Sequence, residues 1–251
     1  APEAATPRMR AIINKPLDDE VFEETVRTVF EHGWLSLKLY YMIGLPGETM
    51  EDVQAILDAG KRVLAMGRQL RGNRVRVHLS VGNFIPKPHT PFQWYPLNST
   101  DDLQAKLDLL KSGVRRTGLK LSYNIPDNTL LEAWLSQGDR RLAQVIHHAW
   151  QLGAKFDAWG ENDNMPFWRQ AFSEIGLDPD FYAYRERALD EILPWDHIHT
   201  GVTKAFLKRD LEWSKQGKTR KDCREQCYAC GILDAFGKER PVNPLVYWGC
   251  P

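Results

Sequence analysis

Three thiols fall within eight residues near the end of the 251-residue sequence, in Cys223-Arg224-Glu225-Gln226-Cys227-Tyr228-Ala229-Cys230. A C-x3-C-x2-C spacing lets one loop turn all three sulfurs toward one metal centre, and soft thiolates select an iron–sulfur cluster or zinc. Cys250 is the fourth cysteine and a candidate fourth ligand; a loop of the intervening length returns at modest entropic cost. A cluster held by three cysteines keeps one iron open, or takes Cys250 as well. A four-cysteine zinc site competes, although C-x3-C with one distant partner is not the paired knuckle of zinc domains. Three unliganded thiols are the remaining reading. No cysteine precedes Cys223 and no basic-plus-apolar export segment opens the sequence. The expected compartment is therefore reducing and cytoplasmic, where clustered cysteines read as ligands before disulfides.

Three other segments could carry chemistry. Met42-Ile43-Gly44-Leu45-Pro46-Gly47-Glu48-Thr49 sits where a strand pattern gives way to a helix pattern. Its two glycines would let a ligand lie against bare backbone at the carboxyl end of a strand, where α/β folds place their sites. An ordinary tight turn with Thr49 as helix cap explains the same residues. Ala1-Pro2-Glu3-Ala4-Ala5-Thr6 reads as a strand end entering a loop, with Glu3 near a sheet's carboxyl edge, or as a frayed terminus. Phe84 to Trp94 holds three prolines, aromatic residues at both ends and His89. It is a stiff, extended crossover that could line a pocket. His147 and His148 are adjacent on a helix pattern and point apart, which argues against a shared ligand role. His197 and His199, after Pro194-Trp195-Asp196, read as satisfied loop residues.

The elements that must position these residues alternate through residues 1–125. Val21, Phe22, Thr25, Val26, Val29 and Phe30 form a helical stripe closed by Gly33. Strands are predicted over 35–43, 75–81 and 119–122. Between them lie a helix capped by Thr49 and Asp52, with Val53, Ile56, Leu57, Val63 and Leu64 on its apolar face, and a helix carrying Leu103, Leu107, Leu110 and Val114. This alternation predicts an α/β fold with a parallel sheet. Three strands are too few to close a barrel, so the sheet is expected to continue upstream of residue 1. Residues 126–207 read as a helical extension, with helices near 127–137, 139–153, 164–175 and 179–192. Residues 208–251 read as a basic, cysteine-bearing tail. Charge shifts along the chain: 126–195 carries net −6 and 196–251 net +3, within a chain of 33 basic and 33 acidic residues. That charge balance, with 43% hydrophobic and 26% charged residues, excludes a disordered chain and a uniformly basic nucleic-acid coat, and no apolar run is long enough to span a bilayer.

Taken in order, the segments Pro2 to Thr6, Ile13-Asn14-Lys15, Lys38 to Pro46 and Phe84 to Trp94 resemble the radical S-adenosylmethionine (SAM) superfamily. The nearest branch is an uncharacterised one that carries an upstream cobalamin-binding-type domain. Gln137-Gly138-Asp139-Arg140-Arg141, Leu193 to Ile198 and Asp222 to Gly231 are also similar to that branch. The resemblance covers nearly the whole chain and implies the C-terminal half of a parallel β/α (TIM-like) partial barrel, followed by the helical extension and cysteine tail. Ala5 departs from the glycine usual in the family. The family's defining cluster loop is also C-x3-C-x2-C, but it follows the first barrel strand. The resemblance therefore puts that loop upstream of this chain and makes Cys223, Cys227, Cys230 and Cys250 an auxiliary 4Fe-4S cluster or zinc site.

For the intact protein the resemblance implies a reduced 4Fe-4S cluster that cleaves SAM to a 5′-deoxyadenosyl radical, which abstracts hydrogen from an unknown substrate. It implies an electron donor such as flavodoxin or ferredoxin, and cobalamin as a further cofactor. Glu3 and Thr6 would lie near the ribose or methionine end of SAM. Met42, Ile43, Gly44, Pro46 and Gly47 would bed the adenine, and Lys38 and Tyr40 would alternate into the barrel interior. The competing expectation is a non-catalytic module whose zinc-stabilised tail binds RNA or protein, since Lys208 to Glu225 is basic and Trp213 and Tyr228 lie near it. No nucleophile–base constellation stands out for a closed enzyme without SAM.

Overall fold

The computed structural model describes residues 1–157 and 163–237. Its centre is a three-stranded parallel sheet, β1 (Ser36–Ile43), β2 (Arg76–Asn83) and β3 (Leu119–Tyr123), ordered β1-β2-β3. The short helix α1 (Pro7–Ile12) and α2 (Asp19–Glu31) precede it; α3 (Met50–Arg71) and α4 (Thr100–Val114) make the two crossovers. All three strands lie where alternation predicts them. The fold is mixed α/β.

Strand parity decides which face each side chain takes. Leu39, Tyr41 and Ile43 of β1, and Val77, Leu79 and Val81 of β2, are buried against α3 and α4 with Val26 and Phe30 of α2. Every apolar residue assigned to α3 is in this core, as are Leu103, Leu107 and Leu110 of α4. Val21 is exposed instead, because α2 meets the core through its later turns. The reciprocal Thr49–Asp52 capping box starts α3 as predicted. At the far end of α3, Arg71 donates to the Phe30 and Glu31 carbonyls, satisfying the last open acceptors of α2.

The alternate strand residues face away from the helices. Register aligns Lys38 with His78 and Lys120, Tyr40 with Ser80 and Ser122, and Met42 with Gly82. This face is polar and part exposed, with Tyr40 47% accessible.

A second core joins α5 (Pro126–Gln137), α6 (Leu142–Leu152), α7 (Met165–Ile175) and α8 (Pro179–Ala183) around Trp134, Trp168 and Phe172. The last predicted helix, 179–192, ends at Ala183. Beyond it the backbone pairs with the loop after β2: Leu97 N–H donates to Ala183 O at 2.8 Å, and Arg187 N–H to Trp94 O at 2.9 Å. Those partners replace the i→i−4 bonds a longer helix would need. α9 (Lys204–Lys215) carries Leu207 and Leu211 into a small core with Trp94 and Trp195, and α10 (Ile232–Ala235) follows the cysteine array. No described helix is long and apolar enough to cross a membrane.

Candidate cofactor end of the sheet and the cysteine loop

Glu3 extends the sheet at its carboxyl end. Its N–H donates to Tyr40 O at 3.0 Å and its carbonyl accepts from Met42 N–H at 2.8 Å, a parallel bridge opposite Tyr41. Glu3 holds a left-handed backbone, φ +66. That conformation costs a non-glycine residue energy and concentrates at functional sites. Its carboxylate is 3.9 Å from the Lys15 ammonium. Thr6 then caps α1, its hydroxyl accepting from Met9 N–H at 3.3 Å and donating to Asp52 Oδ1 at 2.7 Å. Arg8 pairs with the same Asp52 carboxylate. Burial opposes charge on Asp52, but the Thr49 amide, the Thr6 and Thr49 hydroxyls and Arg8 outweigh it and hold the carboxyl below its usual range.

The turn after β1 is closed from inside. Gly44 N–H donates to Glu48 Oε2 at 2.7 Å, and Lys106 of α4 reaches the same oxygen at 3.0 Å. Gly44 stands at φ +83, and a Cβ there would meet Leu103 Cδ2 at 2.9 Å. Its bare Cα therefore faces α4. Gly47, at φ +72, is more open, with only Arg8 Nη1 near, at 3.9 Å. Ile43 is buried among the helices. Met42, on the other face, packs with Ala4, Met9, Leu45 and Phe84 in an apolar patch at the strand ends. Of the residues assigned to the adenine bed, Met42 offers a side chain to the face away from α3 and α4, where α1 packs against it, while Gly44 and Ile43 shape the turn behind it. Lys38 and Tyr40 share the Met42 face, with the Lys38 ammonium 4.8 Å from the Tyr40 ring centre. His78 lies between Lys38 and Lys120; burial, then those two cations, pull its pKa down.

Sequence reasoning missed Glu48, Lys106, Arg8 and the role of His78. Lys106 was detectable as a lysine within the apolar stripe of α4, between Leu103 and Leu107.

The cysteine array docks beside α1. Ser214 of α9 donates to Ile12 O at 2.6 Å, and Arg220 N–H to Asn14 Oδ1 at 2.8 Å. The Arg220 guanidinium pairs with Asp210 and lies 4.1 Å from the Trp213 ring centre and 4.7 Å from that of Tyr228. Cys223 and Cys227 are exposed and Cys230 partly so. All three line a cavity of about 540 Å³ with Asn14 and Pro16. They are not gathered into a ready ligand set: among the described residues no three His, Cys, Asp or Glu side chains group to hold one metal ion. Thr203 N–H fixes the Cys230 carbonyl at 2.8 Å, and Ala229 (φ +52) and Gly231 (φ +109) turn the chain away. Cys250 lies outside the described residues. His148 pairs with Glu174, while His147 stacks on Trp150, so the two imidazoles serve separate contacts.

No family model matches the chain, and no solved structure matches it. An uncharacterised protein of Methanocaldococcus jannaschii is 26% identical over 149 residues, which are 59% of this chain and 32% of that protein. The match thus spans about a third of the relative's length.

Proposed function

We propose that the chain is part of a radical SAM enzyme, with its sheet forming part of a TIM-like barrel. The observation that carries the reading is the Glu3 bridge. It puts the segment that resembles the family's Pro-Glu-Ala motif at the carboxyl end of a parallel sheet, next to the Gly44–Gly47 turn and the Met42 patch. Parallel α/β sheets bind ligands at that end. Bound there, SAM would supply a 5′-deoxyadenosyl radical when its carbon–sulfur bond is cleaved by one electron. This chain's residues would orient it. Met42 and its apolar neighbours would exclude water from the adenine, Glu3 would accept hydrogen bonds from ribose hydroxyls, and Thr6, already committed to Asp52, would fix α1 rather than touch the ligand. Lys38 and Tyr40 would face the substrate. Cys223, Cys227 and Cys230 would hold an auxiliary iron–sulfur cluster or zinc beside α1, with Cys250 as a fourth ligand.

A tail that reads RNA is less well supported. Base stacking needs free aromatic faces, and Arg220 already lies over both Trp213 and Tyr228.

The test uses the full-length protein, reconstituted anaerobically with iron and sulfide, reduced, and supplied with SAM. Release of 5′-deoxyadenosine, reduced by Glu3→Ala, is the expected result. No 5′-deoxyadenosine from protein with a full iron and sulfide content would overturn the reading.

A further inference from the structure

Three segments far apart in sequence meet around a cavity of about 1020 Å³. Pro88 and His89 come from the loop after β2, Ser136 to Arg141 from the α5–α6 junction, and Pro194 to Ile198 from the turn before α9. Buried amides lock these walls together. Gln137, 1% exposed, donates to Pro86 O at 2.9 Å and accepts from Arg187 at 2.7 Å. Gln93, 2% exposed, accepts from the Trp195 indole at 2.7 Å and from His89 N–H at 3.0 Å. A site built this way is preformed, and ordering it costs a ligand little.

The lining has a charged side and an apolar side. Asp139, the carboxylate on the wall, is neutralised by Arg141 at 2.6 Å. Neighbouring Arg140 is exposed and makes no side-chain hydrogen bond or close ion pair with a described residue, although its charge joins that of Arg141 in holding the Asp139 carboxyl down. His89 holds a left-handed backbone, φ +57, and its Nε2 is buried without a hydrogen-bond partner among the described residues. That nitrogen is closed off from the cavity, so His89 shapes the wall through its backbone and its charge reaches Asp196 rather than offering a donor to a ligand. Asp196, the other nearby carboxylate, is held by Lys204 at 2.6 Å and by Leu193 N–H at 2.9 Å. Pro194, Trp195 and Ile198 make the apolar side, Ile198 being 54% exposed.

We infer that this cavity binds a small organic oxyanion, a carboxylate or phosphate ester, with its charge on Arg140 and its apolar body along Trp195 and Ile198. An unpaired guanidinium recognises such oxygens by charge-assisted hydrogen bonds. The inference needs neither a metal nor SAM.

The test titrates the 251-residue chain with phenyl phosphate, benzoate and neutral benzyl alcohol, read by saturation-transfer NMR. The expected result is saturable binding of one or both anions near about 1 mM or tighter. Benzyl alcohol should bind at least about tenfold more weakly. Arg140→Gln, an exposed change, should weaken the anion about tenfold with the circular dichroism spectrum unchanged. Ile198→Asp, which sets a carboxylate at the mouth, should weaken it similarly, and the two separate loss of charge from loss of fold. Binding of benzyl alcohol as tight as the anions, undiminished affinity in both variants, or no saturation below about 10 mM would overturn it.

Discussion

Lys106 and Glu48, 58 positions apart in the chain, form an ion pair at 3.0 Å with both side chains almost wholly buried, 4% and 3% exposed. The pair ties α4 to the turn after β1. Glu48 also holds Gly44 N–H, and Lys106 also reaches Asn98 Oδ1 at 2.8 Å and Asp102 at 3.2 Å. Removing one member of a buried pair strands the other charge, which costs about 3–5 kcal/mol. Lys106→Met should therefore destabilise the chain by roughly that amount in urea unfolding. Adding Glu48→Gln, which keeps an acceptor for Gly44, should restore much of the loss. A double variant no more stable than Lys106→Met would mean that the charge pairing is not what the turn depends on.

The two glycines at the strand ends should respond very unequally. Gly44→Ala puts a Cβ at φ +83 and 2.9 Å from Leu103 Cδ2, a combination expected to cost roughly 2–4 kcal/mol. Gly82 has an ordinary strand backbone, and a Cβ there would find only Tyr41 O, at 4.0 Å. Gly82→Ala should change stability by less than about 1 kcal/mol. It is thus the better probe of whether a ligand covers the Met42–Gly82 end of the open face. Calorimetric midpoints of the two variants check both expectations.

Acid should loosen the same corner. The folded Asp52 carboxyl lies below its ordinary 3.8, so its contribution is present above that value and is lost as pH falls through the lower, folded one. Glu48 runs the other way. Burial raises its carboxyl above 4.5, with Gly44 N–H and Lys106 opposing, so its protonation preference favours the fold below that value and is lost as pH rises through the higher one. Asp52→Asn should therefore show a shallower loss of urea midpoint than the parent between about pH 4 and pH 2. Parallel curves would mean that Asp52 is not a source of the acid sensitivity.

Local pattern carried the sheet and its helices. Alternating apolar residues located β1, β2 and β3, a stripe closed by Gly33 located α2, and a cap and a stripe located α3. What the pattern could not carry were contacts between residues far apart. Pro179 and the residues after it look helical, yet the chain beyond Ala183 pairs with the 94–97 loop, a tertiary choice with no local signature. The same holds for the site. The Gly44-x-x-Gly47 spacing marks a turn, but only packing against Leu103 shows which side of Gly44 is filled. The segments around His89, Arg140 and Trp195 were each visible as motifs; that they share one cavity follows from Gln93 and Gln137, buried amides that no periodicity singles out.

The cysteine loop makes the last prediction. Its backbone is anchored on both sides, by Arg220 N–H on Asn14 and by Thr203 N–H on Cys230 O, while the Cys223 and Cys227 thiols stand exposed. Thiols so placed react readily with an alkylating reagent, and a bound metal removes them from reaction. In the metal-free chain Cys223 and Cys227 should alkylate fast, with Cys230 slower because it is partly buried. Loading with iron and sulfide, or with zinc, should protect all three together, and Cys227→Ala should abolish protection of the other two. Mass spectrometry of the modified peptides reads each site. If iron with sulfide protects and zinc does not, the loop holds a cluster; if zinc alone protects, it is a structural knuckle. Independent alkylation under both loadings would leave three separate thiols and remove the metal from the proposed function.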